Sequence, residues 1–186
     1  MNIIDTFISE PVLLSVRPCW VEEIASGKKT VEIRKGRPRQ ETPFQVFMYE
    51  TQEKTDTPWM DEDGHMIFRG RGQVVGQFVC DRITEHDLPY PAYQGELDKE
   101  LLAAACVDYW MLHRYVWSGG RFYGWHISEL QMYKLSVNLS EIRKPCEHQL
   151  FCDGCGMFNN YHRRCGNAAM YFKRPPQSWC YVGRSL

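Results

Sequence analysis

The chain has 186 residues and a net charge of −1, with 44% apolar, 13% aromatic and 24% charged residues. This length and composition fit one compact domain over 1–186 with its own core, and the balanced charge excludes a polyanion binder that works through the field of the whole molecule. No apolar run reaches membrane-spanning length, and the first residues lack the pattern of a signal peptide, so we expect a cytoplasmic monomer without a membrane partner.

The beginning of the chain predicts a strand, a short helix and a second strand. Val12–Val16 is a short apolar run of the kind found in buried strands. A helix can begin at Pro18, because apolar residues follow it at helical spacing, and Gly27 is the glycine that ends such a helix. The second strand, Thr30–Arg34, therefore follows a glycine cap.

That second strand is unusual in charge, because the stretch SGKKTVEIRKGRPR holds six cations and one carboxylate, Glu32. Alternation along a strand places Glu32 and Arg34 on one face and Val31 and Ile33 on the core face. Lys29 shares the parity of the apolar pair but stands at the start of the strand, so we expect it at the rim of the core, partly desolvated.

The charged face has two interpretations. It can be a solvated strand face on which Glu32 and Arg34 form an ordinary ion pair, a contact worth only about 0–1 kcal/mol when exposed. Alternatively, it can be the polar floor of a cleft, where Glu32 orients Arg34 or Lys29 toward a phosphate or a base edge.

The rest of the chain predicts more strands and one helical region. A hairpin turn is expected at Asp63-Gly64, and a helical pattern over Leu97–Trp117 predicts one bent helix or two short ones, ended by Gly119-Gly120. The other predicted strands are Phe44–Tyr49, Gly72–Ile83, Trp125–Leu135 and Ser178–Val182. We predict the α+β class: a small mixed β-barrel with flanking helices, a helical insertion over 84–121 and a Cys-rich insertion over 144–174.

The Cys-rich insertion is the strongest metal signal. Thiols in a Cys-x-x-Cys pair with two more nearby can supply the four ligands of a closed zinc site, so we predict one structural zinc. The predicted ligands are Cys146, Cys152, Cys155 and Cys165. His148 or His162 could replace one of them, and a redox pair is the alternative, although its usual strand-to-helix context is missing. Cys80 and Cys180 lie in apolar strand-like runs and are expected in the core.

A family resemblance rests on Gly27, Lys29, Glu32 and Arg34, which read G-x-K-x-x-E-x-R after LLSVRP. With these flanks, and with GQVVGQFVCDRI, YGWHISELQMY and RPPQSWCYV further on, the chain resembles the ASCH domain, a family of PUA-like β-barrels related to RNA-binding modules. The resemblance implies a cleft for RNA or a nucleotide beside the charged strand. In a bacterial branch that hydrolyses the acyl amide of acetylated cytidine, the lysine of the motif pairs with a threonine and a distant glutamate. Lys29 matches that lysine, and Glu32 stands at the threonine position.

With this resemblance, the cleft interpretation is favoured, and RNA or a nucleotide is the expected ligand. Cations beside the strand suit backbone phosphates, and an aromatic ring can stack on an unpaired base. The candidate ligand-binding residues are Arg17, Trp20, Lys29, Glu32, Arg34, Arg37 and Arg39. Further contacts could come from Arg69, Arg71, Tyr123, Trp125, Trp179 or the basic residues near the cysteines, Arg143, Lys144, Arg163 and Arg164.

Two other functions stay open from the sequence. The chain could be a small hydrolase of the amidohydrolase or ribonuclease type, with Lys29 as base or nucleophile and Glu32 as proton carrier. It could also be a protein-interaction module without a nucleic-acid role. His126, alone in a predicted strand, is expected to be a hydrogen-bonded structural residue.

Overall fold

The computed structural model describes residues 9–52, 59–60, 66–67, 70–88, 98–117, 120–147 and 152–183. These residues form three α-helices: α1 (Pro18–Ala25), α2 (Lys99–Ala104) and α3 (Tyr109–Val116). They form the strands β1 (Val12–Val16), β2 (Val31–Arg34), β3 (Phe44–Glu50), β4 (Trp59–Met60), β5 (Met66–Ile67), β6 (Gln73–Asp87), β7 (Arg121–Asn138), β8 (Phe158–Asn159), β9 (Arg164–Cys165) and β10 (Trp179–Tyr181).

Six of the strands form one mixed sheet in the order β10-β1-β3-β6-β7-β2. Strand β1 runs parallel to β3, with Val12 opposite Val46, and antiparallel to β10. Strand β2 runs antiparallel to β7 and is the last strand on its side of the sheet in the described residues. A mixed sheet with a few short helices confirms the predicted α+β class.

The predicted early elements are confirmed, and the long strands differ in extent. Strands β6 and β7 continue beyond the predicted Gly72–Ile83 and Trp125–Leu135. The extension of β6 alternates half-buried and exposed polar side chains, so it lacks the apolar run that marks a strand. Strand β7 is longer at both ends, from Arg121 to Asn138. The helical region divides into two helices at Cys106, whose φ of 53° interrupts a right-handed helix. Asp63-Gly64 lies outside the described residues.

The contacts of the chain group into two compact units. The first unit is built mainly from Cys19–Gln45 and Phe78–Gln131, and helices α2 and α3 cover an apolar cluster there that includes Val31, Ile33 and Phe122. The second is built from Glu10–Pro18, Val46–Gln77 and Met132–Leu186, and its cluster has its own members, among them Leu13, Phe47, Val74, Ile142 and Val182. The single-domain organisation and the two insertions stay predictions.

No helix in the described part of the chain combines the length and apolar character needed to cross a bilayer.

Candidate functional site

Three charged side chains at strand β2 are buried. Lys29, Glu32 and Arg34 are 3%, 4% and 9% exposed. An exposed pair on a solvated strand face would keep most of its hydration, whereas ions taken out of water need close partners. The solvated-face interpretation is therefore wrong, and the charged strand is a desolvated polar site in the first unit.

Glu32 holds both cations. Its Oε1 lies 2.9 Å from Nη2 of Arg34, and its Oε2 lies 3.3 Å from Nζ of Lys29. The Lys29 ammonium also donates a hydrogen bond of 2.5 Å to the carbonyl of Ala105 and lies 4.8 Å from the centre of the Trp20 ring. Glu32 Oε2 accepts no hydrogen bond from the described residues. The one acid of the strand thus fixes two cations, one through each carboxylate oxygen.

Two aromatic residues of β7 share the face of this site. Trp125 is opposite Glu32 and Tyr123 is opposite Arg34, and directly opposed residues of antiparallel strands point to the same side of a sheet. Trp125 is fully buried, and its ring meets Phe44 edge to face at 5.7 Å, so it belongs to the core. Tyr123 is only half-buried, and it lies opposite Arg34.

The other predicted ligand-binding residues differ in their surroundings. Arg37 and Arg39 follow β2 and are exposed, and the half-buried Trp20 lies under Lys29 on α1. Arg17 is exposed and belongs to the second unit. Arg71 forms an ion pair of 3.6 Å with Glu50 in the second unit. Arg69 lies outside the described residues.

Sequence reasoning missed a row of polar side chains across β6 and β7 of the first unit. Thr84 Oγ1 lies 2.8 Å from Nε2 of His86 and 3.4 Å from Nε2 of His126. Arg82 donates to Nδ1 of His126 at 3.1 Å, which leaves the proton of a neutral His126 on Nε2, directed at the Thr84 oxygen. His126 is thus hydrogen-bonded, as expected. The sequence signal that could have revealed this row is Arg82-x-Thr84-x-His86, because residues two apart in a strand point to the same face.

Both histidines of this row are held toward their neutral forms. Burial lowers the pKa of His86, against the opposing charges of Asp98 and Asp87. Burial, followed by the charges of Arg82 and His86, lowers the pKa of His126, with Asp81 opposing. Each imidazole is therefore neutral near neutral pH, and His126 uses its acceptor nitrogen, Nδ1, for the hydrogen bond from Arg82.

The lowered pKa values predict that the protein loses stability in mild acid. The unfolded chain takes up protons near the usual histidine pKa of 6.5, whereas folded His86 and His126 resist protonation to lower pH. The free energy of unfolding should therefore fall as pH decreases below about 6.5, because the unfolded state binds more protons there. Urea unfolding between about pH 7.5 and about pH 5.5 measures this slope. His126→Gln should flatten it, and an equal slope in this variant would contradict the assignment.

All eight cysteines have free thiols. Burial raises the pKa of Cys80 to about 12 and that of Cys180 to about 11, and both lie in or against apolar clusters, as expected of core residues. In the Cys-rich segment, Cys165 is buried and pairs with Phe158 across β8 and β9. The guanidinium of the buried Arg143 donates to Sγ of Cys152 at 2.8 Å.

The zinc site predicted from the spacing of the cysteines has no metal-binding cluster to support it among the described residues. No group of three or more His, Cys, Asp or Glu side chains in the described ranges is placed to hold a metal ion. Cys152 instead accepts from Arg143, a cation that would repel a metal. His148, a possible replacement ligand, lies outside the described residues, and the zinc site stays a prediction.

The fold has counterparts among solved structures. No protein-family model matches the chain, and no curated protein matches it in sequence. The crystal structure of ASCH from Zymomonas mobilis superposes with a TM-score of 0.54 at 16% identity, over 92% of this chain and 87% of that one. A serine-to-alanine variant of that protein gives a TM-score of 0.55 at 17% identity, over 92% and 87% of the two chains.

A tyrosine-to-phenylalanine variant of the same protein gives a TM-score of 0.52 at 15% identity, over 93% of this chain and 90% of that one. Identities this low carry information about fold only, and the coverage extends over both compact units and nearly the whole length of each partner. The resemblance first suggested by the charged strand is therefore confirmed at the level of architecture: this chain has the ASCH fold.

Proposed function

We propose that the chain binds single-stranded RNA or a nucleotide at the site formed by Lys29, Glu32 and Arg34. The observation that carries this proposal is the buried carboxylate that orients two cations on one edge strand. Burying ions is costly, and a hydrophobic edge would have been as stable or more so, which favours a role for the site in recognition.

The chemistry of the site suits a nucleotide. The planar fork of Arg34 can donate in parallel to phosphate or base-edge oxygens while Glu32 keeps it oriented. Tyr123 lies beside Arg34 on the same face and is accessible for stacking on an unpaired base. Arg37 and Arg39 are exposed just after the strand and would contact backbone phosphates.

Fluorescence anisotropy with short single-stranded RNA and DNA tests this function. We expect binding that weakens with salt, with a slope that decreases by about 0.7 for each phosphate contact removed. The double variant Arg37→Gln/Arg39→Gln should reduce the slope, while the matched control Lys134→Gln, an exposed cation on β7, should not. Arg34→Lys should weaken binding at every salt concentration, because it keeps the charge and loses the fork. Binding without salt dependence, or unaffected by Arg34→Lys, would contradict the proposal.

A second candidate function is hydrolysis of a modified nucleoside or of RNA, and one contact favours it. Thr84 Oγ1 and Nε2 of His86 are 2.8 Å apart, the distance between a hydroxyl nucleophile and its general base. The predicted catalytic residues Lys29 and Glu32 are instead engaged with each other. If this function exists, turnover of acylated nucleosides or RNA should be lost in Thr84→Val. If turnover persists in Thr84→Val and disappears in Lys29→Ala, the catalytic residues would lie at the charged strand instead.

We also keep structural zinc as a proposal for Cys146, Cys152, Cys155 and Cys165, supported by their spacing alone. Elemental analysis of protein purified without chelator should give about one zinc per chain. If the protein contains no metal and its segment 144–174 resists proteolysis, this proposal is contradicted.

A further inference from the structure

Helix α3 carries an exposed aromatic face that the proposed site does not use. Tyr109, Leu112 and Val116 are buried and attach the helix to its unit. On the other side, four large apolar side chains are exposed: Trp110 by 60%, Met111 by 41%, Tyr115 by 39% and Trp117 by 73%. We call these four residues the aromatic face. Single exposed apolar residues are common, but four within eight positions mark an interaction surface.

Two cations lie beside the aromatic face. Nζ of Lys35 lies 5.0 Å from the centre of the Tyr115 ring, and Arg114 is exposed on the helix itself. Tyr109–Trp117 contains no acid, and neither does the segment 33–39 that brings Lys35 to the helix. Asp108, just before α3, is engaged in capping it through the backbone N–H of Met111. Aromatic rings interleaved with cations are complementary to unpaired bases on a phosphate backbone.

Trp117 is held in a strained backbone conformation. Its φ of 70° and ψ of 152° belong to a region that is essentially restricted to glycine. Hydrogen bonds on both sides fix it: its N–H donates to the carbonyl of His113 at 2.9 Å, and its own carbonyl accepts from Gly120 at 3.1 Å. The ring of Trp117 is thus held at a fixed position while 73% of the residue is exposed.

The aromatic face adjoins the charged strand. Arg34 is the last residue of β2, the last strand on its side of the described sheet, and Lys35 follows it in a bend. Arg34 reaches Glu32, and Lys35 reaches Tyr115. A flexible strand could therefore pass over this edge from one cation to the next.

We propose that the aromatic face is a stacking platform for the bases of single-stranded nucleic acid, whose backbone is held by Lys35 and Arg114. This inference rests on the proposed function and extends it from a nucleotide site to a longer strand. The helix is about 12 Å long, so the platform adds contacts to a few neighbouring nucleotides. A protein partner, the other class that favours exposed Trp and Tyr, would be expected to bring acidic residues to such a surface.

The variant Trp117→Gly distinguishes a role of Trp117 in base stacking from a role in stabilising the fold. Glycine relieves the backbone strain, so the melting temperature should rise by about 2–4 °C. Affinity for an oligouridylate of about twelve nucleotides should nevertheless fall about fivefold or more, the loss expected when one stacked base is released. Trp110→Ala should cause a similar loss that Trp110→Phe restores in part, and the control Leu135→Ala, which removes another exposed apolar side chain, should change neither quantity.

Uridine 5′-monophosphate distinguishes the two proposals. If Trp117→Gly and Trp110→Ala weaken binding of the oligonucleotide while Arg34→Lys changes the affinity for neither ligand, the platform is supported and the proposed site is contradicted. If the monophosphate binds in an Arg34-dependent way but the oligonucleotide is insensitive to both tryptophans, the platform is overturned. A third outcome would also overturn the platform. If neither tryptophan substitution changes oligonucleotide binding, but both abolish self-association measured by analytical ultracentrifugation, the aromatic face is a protein interface.

Discussion

Replacing Lys29 by Met is expected to lower the free energy of unfolding by about 3–5 kcal/mol, the usual cost of removing one partner from a buried ion pair. The substitution keeps the length of the side chain but removes the ammonium that Glu32 and the Ala105 carbonyl share. Glu32 is 4% exposed, so water cannot replace the lost partner. Urea denaturation of the two proteins measures the difference.

Lys28→Met is the matched control. Lys28 is the preceding residue, its side chain is 70% exposed, and it meets Glu23 at 3.7 Å. An exposed pair of this kind contributes about 0–1 kcal/mol, so the control should be nearly neutral. Equal effects of Lys29→Met and Lys28→Met would contradict the buried network.

Replacing Gly124 by Ala is expected to lower the free energy of unfolding by about 1–3 kcal/mol, as overpacking does. A Cβ at Gly124 would lie 2.8 Å from Oγ1 of Thr84 and 3.0 Å from Cγ1 of Val31. Both neighbours are β-branched residues on strands, so neither can turn aside easily. The Thr84 hydroxyl would have to leave His86 and His126. Chemical denaturation gives the size of the effect.

Gly156→Ala provides the reference for this prediction, because a Cβ there meets nothing within 4 Å. Thr84→Ala in the Gly124→Ala background should restore part of the loss, since the closest contact disappears with the hydroxyl. If Gly124→Ala is as well tolerated as Gly156→Ala, the polar row on β6 and β7 is not packed as described.

Local pattern was enough to place the charged strand but not to show how deeply it is buried. Alternation correctly assigned Val31 and Ile33 to the core face, and Gly27, with φ of 76°, takes the left-handed conformation expected after α1. Lys29 was expected at the rim and is 3% exposed. The difference arises because its hydrogen-bond partner, Ala105, is 76 residues away, and a contact at that separation leaves no periodic signal.

The polar row shows a second limit of sequence reasoning. Thr84 and His86 follow the last apolar residue of β6, so the strand was predicted to end before them. The cysteines were grouped by spacing, which tells only which thiols are close along the chain, so the zinc site that they suggest stays a prediction.

A crystal of the protein soaked with a nucleotide mixture tests the central claim most directly. We predict electron density for a phosphate or a base edge within hydrogen-bond distance, about 2.7–3.2 Å, of the Arg34 guanidinium, with Glu32 still in contact with Lys29. A nucleotide bound elsewhere on the chain, or a site at Arg34 that stays empty at saturating nucleotide, would contradict the account.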